Sequence, residues 1–149
     1  MLTHLRYIVL GTALTLTPPG LVLSQEIGFD DQITASANKE FQKKLEAAKT
    51  GNPVAQYSVG RAFQKGKGVK QNHDLAARWL RKAAEQGHVK SQYRLGVAYR
   101  DGRGVQRDYK RSASWFKKAA DQKYKKAFHA LGYAHHKGLG VPRDNMVAT

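Results

Sequence analysis

The sequence predicts an all-α fold, a short α-solenoid of antiparallel helix pairs. Three observations carry that expectation. A pattern of glycine, tryptophan and paired alanine returns every 36 residues along a chain of 149. Each period holds two stretches with apolar residues at helical spacing. Each stretch is bracketed by capping residues and glycine.

The first element is a leader. Arg6 is the only Lys or Arg before Lys39, and an apolar run from Tyr7 to Leu16 follows it. Thr17-Pro18-Pro19-Gly20 interrupts the run, and Leu21-Val22-Leu23-Ser24 ends in a small residue. This order of short basic region, short apolar core, breaker and cleavage point predicts a signal peptide over 1–24. The apolar run is shorter than the roughly 20 residues a helix needs to cross a bilayer. An uncleaved anchor or a disordered leader is the alternative. A signal peptide makes the protein exported, periplasmic or secreted. Residues 25–36 read as a linker.

Residues 37–51 read as an N-terminal capping helix, from near Ala37 to Lys49, with Phe41 and Leu45 on its apolar face. The first full unit spans 52–87. Asn52 suits the N-cap of its first helix and Pro53 the first helical position. Ala55, Val59, Ala62 and Phe63 form the apolar face, and Gly66 suits a left-handed C-cap. Asn72 caps the second helix, in which Leu75, Ala76, Trp79, Leu80, Ala83 and Ala84 share one face. Gly87 follows it.

The second unit spans 88–123. Gly96 repeats Gly60, Gly102 and Gly104 repeat Gly66 and Gly68, Trp115 repeats Trp79, and Ala119-Ala120 repeats Ala83-Ala84. Gly60, Gly96 and Gly132 all fall inside a helix, where glycine costs about 1 kcal/mol relative to alanine. Acceptance of that cost in every unit implies a close helix–helix approach. The third unit, 124–149, has Gly132, Gly138 and Gly140 and a cap at Asp144. Its second helix should run for about four turns, but the sequence stops at Thr149, with no tryptophan or alanine pair. The inner face of its first helix is expected to be partly uncovered, which leaves a frayed end, self-association through that face, or a truncated product.

Ala55-Gln56-Tyr57-Ser58-Val59-Gly60, Gly66-Lys67-Gly68-Val69, Trp79 and Lys82-Ala83-Ala84, with their counterparts in 88–123, resemble the Sel1-like repeat, a tetratricopeptide-like unit. The resemblance implies a protein–protein interaction scaffold or adaptor. Some secreted members of that family are rich in cysteine and bind β-lactams; this chain has no cysteine, so that activity is not carried over.

Catalytic constellations are missing. Without cysteine there is no thiol nucleophile and no thiolate metal site. His135 and His136 are adjacent, and His129 lies two turns from His136, so neither pair chelates one ion locally. Gly66-Lys67-Gly68 and its repeats lack the full spacing of a phosphate-binding loop. A non-enzyme with no metal and no cofactor is expected.

Charge is the remaining signal. The chain carries 26 basic against 11 acidic residues, a formal +15. A positive field follows, and with it attraction to acidic partners. In solenoids of helix pairs the first helix of each unit commonly lines the binding groove. The candidate contacts there are Gln56, Arg61, Gln64, Gln92, Arg100 and His136. A protein or peptide with acidic segments is the expected partner. The alternative is an anionic polymer: acidic polysaccharide, cell-wall glycan or lipid head groups. Nucleic acid is disfavoured by the leader and by aromatic residues placed in the core.

Overall fold

The computed structural model of the protein describes residues 7–10, 13–16 and 38–143. The chain divides into two compact units, 1–35 and 36–149. Apart from two strands, the expected signal peptide (1–24) and linker (25–36) lie outside the described residues. The expected Asp144 cap and second helix of the third unit lie outside them too.

In the first unit the apolar run forms two short strands, β1 (Tyr7–Leu10) and β2 (Ala13–Leu16). They pair antiparallel, with Tyr7 opposite Leu16 and Leu10 opposite Ala13. Ile8, Val9 and Thr15 are β-branched, which favours extended backbone.

Among the described residues of the second unit, all regular structure is helical. Its helices are α1 (Lys39–Lys49), α2 (Pro53–Lys65), α3 (His73–Glu85), α4 (Val89–Asp101), α5 (Tyr109–Asp121) and α6 (Lys125–Lys137). Each packs mainly on the helix before it and the helix after it. That nearest-neighbour order is the organisation of a solenoid.

Local chemistry sets the helix ends. The Asn52 side chain accepts from the Val54 and Ala55 amides, and Pro53 opens α2. Asn72 accepts from Leu75 N, and Asp108 from Arg111 N. Gly66, Gly102 and Gly138 close α2, α4 and α6 at φ 66, 69 and 66°. The first helix begins at Lys39, two residues later than the sequence suggests, because Asn38 serves as its cap and accepts from Phe41 N.

The core is a line of apolar side chains running between successive helices. Leu45, Val59, Phe63, Leu80, Leu95 and Phe116 are almost completely buried. Each contributes about 1.5–3 kcal/mol of burial. Trp115, Val105 and Tyr99 pack with Leu95 and Ala84. Tyr93 and Tyr124 pack on the alanines that end α5 and begin α6.

Two glycine positions explain the period. A Cβ at Gly96 would stand 2.7 Å from the Phe116 ring, and one at Gly60 would stand 2.9 Å from Leu80. So first and second helices of a unit meet at the helical glycine, as the repeat pattern implied. The loop glycine acts between units. A Cβ at Gly104 would overlap the His73 carbonyl, and one at Gly140 the Tyr109 backbone. Each unit's loop therefore rests directly on the start of the preceding unit's second helix.

Candidate functional site

The candidate surface is the row of first helices α2, α4 and α6. Their outward positions recur with the period, so side chains about one period apart become lateral neighbours. Arg94 Nε on α4 donates to the Tyr57 hydroxyl on α2 at 3.3 Å. The Tyr57 ring also lies against His88, with centroids 4.8 Å apart. Arg61 sits one turn further along α2, and its Nη1 donates to Gln64 Oε1 at 3.1 Å.

The electrostatics of this row are one-sided. Burial lowers the Arg61 pKa from its ordinary value, and the Arg94 charge lowers it further. Neither arginine has a carboxylate partner among the described residues. Beside them a groove of about 290 Å³ opens between α1 and α2. Phe41, Lys44, Tyr57, Arg61, Lys65 and Lys67 line it. Glu40 is its one acidic group and is already paired with Lys44. An apolar floor of aromatic rings under several unpaired cations is suited to a segment carrying carboxylates.

The sequence-derived contact residues divide into three sets. Arg61 and Gln64 lie on the row, half-buried and hydrogen-bonded to each other. Arg100 also lies there, but it holds Asp101 through two bonds of 2.7 and 3.3 Å. The hydrogen bond it donates to Asp101 raises its pKa. His136 is exposed near the end of α6.

Gln56 and Gln92 require a correction. They are 4% and 5% exposed and face the stack, not a partner. Gln56 Nε2 donates to Ala48 O at 3.2 Å, and its Oε1 accepts from Gln86 Nε2 at 2.7 Å. Gln92 makes the same pair of bonds one period on, to Ala84 O at 3.2 Å and from Gln122 Nε2 at 2.8 Å. These amides clasp three successive helices, so they carry structure. In the third unit the same position is Phe128, which is 51% exposed.

Tyr57, Arg94, Lys44, Lys65 and Lys67 were missed as site residues. The signal for Arg94 was available. It stands one period after Ser58, where the repeat itself asks for no charge.

No described helix is long and apolar enough to cross a membrane. The Sel1 repeat model matches the chain at residues 53–88, 89–124 and 126–148. Among solved structures, a Sel1 repeat protein from Oxalobacter formigenes is 38% identical with a TM-score of 0.66, covering 74% of this chain and 84% of that one. A protective antigen of uropathogenic Escherichia coli with an SLR fold is 33% identical with a TM-score of 0.71. That match covers 74% of this chain but 24% of the antigen. Cysteine rich protein B of Helicobacter pylori is 26% identical with a TM-score of 0.57, covering 60% of this chain and 69% of that one. A curated relative, a chitin synthase regulator of Saccharomyces cerevisiae, is 34% identical over 64 residues, 43% of this chain and 9% of the regulator. The chain thus spans less than a tenth of that regulator and about a quarter of the antigen. Repeats of this kind are generally non-catalytic and commonly mediate protein–protein contact. The three matched segments and the stack of helix pairs lead to one conclusion: this chain belongs to the Sel1 repeat family.

Proposed function

We propose that this chain is an exported, non-catalytic adaptor whose first-helix row receives an acidic segment of a protein partner. The observation that carries the reading is the pair Arg61 and Arg94. Two guanidinium groups are held beside each other, partly out of water, on hydroxyl and amide partners alone. A carboxylate arriving there relieves their repulsion and forms charge-assisted hydrogen bonds. The basic groove between α1 and α2 extends the contact along the partner. A relative described as a regulator of a synthase agrees with a binding role.

The test is affinity capture of the full chain's partners from envelope extract at low and high salt. One protein retained at high salt, and lost with R61Q and R94Q, is the expected result. Complete elution as salt rises, with no dominant protein, would replace this reading with charge-driven binding of an anionic polymer. Fractionation of the cells that produce the chain tests export independently.

A further inference from the structure

A second basic cleft, apart from the groove between α1 and α2, has the build of a small-anion site. Its volume is about 380 Å³, and Arg81, Tyr99, Val105, Gln106, Arg107, Asp108 and Arg111 line it. Residues from α3, α4, α5 and the loop between α4 and α5 converge there. Arg81 Nη2 donates to the Tyr99 hydroxyl at 2.9 Å. The Arg111 guanidinium lies over the same ring, 5.7 Å from its centroid. One buried tyrosine thus positions two arginines.

The single carboxylate in the cleft is already committed. Asp108 Oδ2 pairs with Arg111 Nε at 3.3 Å, and Oδ1 caps α5 through Arg111 N at 2.9 Å. Arg81 and Arg107 have no carboxylate partner among the described residues. The frame is fixed at both ends of the loop, by Arg103 N to Ala98 O at 3.0 Å and Asp108 N to Tyr99 O at 2.9 Å. The fit of Gly104 against the His73 backbone holds its middle.

Packing does not demand these residues. In the first unit the places of Tyr99, Arg107 and Arg111 are taken by Phe63, Gln71 and Leu75, and the stack forms equally well. We propose that the cleft binds a phosphate dianion, free or as the end group of a small monoester. A tetrahedral dianion accepts from guanidinium groups in several directions at once, whereas a carboxylate is satisfied by one planar fork.

The test is calorimetric titration of the full chain with inorganic phosphate and, separately, glycerol 3-phosphate, at constant ionic strength set with chloride. Saturable binding at one site per chain is expected. R81Q and R107Q should each weaken it about tenfold, and Y99F, which removes the tether, by about threefold. Phe63 fills the Y99F position in the first unit, so that variant keeps the fold; thermal melts check it. K43Q removes an equal charge from α1 and should leave affinity unchanged. Tighter binding of glycerol 3-phosphate identifies a monoester as the ligand, and equal binding identifies the free anion. Failure to saturate, or an equal loss in K43Q, overturns the site.

Discussion

Lys123 shows how one side chain can record a lost repeat feature. It takes φ 64°, the only non-glycine residue among those described with positive φ. One and two periods earlier Gly87 and Gly51 take φ 87 and 94°. A left-handed conformation costs an L-residue about 1–2 kcal/mol. Lys123→Gly should therefore raise stability by about 1 kcal/mol in urea unfolding. Gly104 is the opposite case. Alanine there combines a disfavoured φ of 71° with overlap against the His73 carbonyl, which cannot yield as a side chain could. Gly104→Ala should lower stability by more than about 2 kcal/mol in the same measurement.

His88 adds a pH dependence. Its Nδ1 accepts from Ser91 N at 3.3 Å and lies 2.9 Å from Ser91 Oγ, capping α4. Burial lowers its pKa, and the Lys90 charge lowers it further. The neutral ring is therefore the form the fold favours. Its contribution is complete above the unfolded imidazole pKa of about 6.5 and is lost as pH falls through the lower folded value. His88→Asn retains a capping oxygen without the titration. Thermal melts from about pH 7.5 to about pH 5 should show a larger decline for the native chain than for this variant.

At the scale of elements, the joints between helix pairs decide how far order propagates. The first two joints share a glycine, a side-chain cap and a glutamine clasp. Gln92→Ala would remove both bonds that tie α4 to the ends of α3 and α5, at a cost of about 2 kcal/mol. The third joint has Lys123 for glycine, Tyr124 with no side-chain cap and Phe128 for glutamine. Tyr124 compensates in part by packing on Tyr93, with centroids 5.4 Å apart. Hydrogen exchange should be fastest in α6 and slowest in α3 to α5, and K123G should narrow the difference. Uniform protection through α6 would show that aromatic packing replaces the lost clasp completely.

For the molecule as a whole, net charge is the governing quantity. At +15 the chain repels itself, and the pairs Glu40–Lys44, Glu46–Lys49, Arg100–Asp101, Asp108–Arg111 and Lys117–Asp121 are short-range contacts along the sequence, mostly on helix surfaces. Such pairs contribute about 0–1 kcal/mol each. Raising salt from about 20 to about 300 mM screens the repulsion and should raise the melting temperature. A fall would mean that the pairs outweigh the repulsion. The same salt weakens capture of an acidic partner, so stability and binding should move in opposite directions.

Helix ends, the period and the glycine contacts were legible because each depends on nearby residues or on direct repetition. Asn52, Pro53, Gly66, Asn72 and Asp108 act within one turn of the chain, where residue type dictates geometry. Composition likewise set the positive field. The candidate site was legible only in part. Gln56 and Gln92 look like surface amides until the previous helix docks and turns its last carbonyls toward them. Arg94 meets Tyr57, and Arg81 meets Tyr99, only because stacking brings positions from different helices side by side. Helical periodicity says which residues share a face. Whether that face is clasp, groove or anion cleft follows from the lateral offset between neighbouring helices, a quantity set by packing in three dimensions.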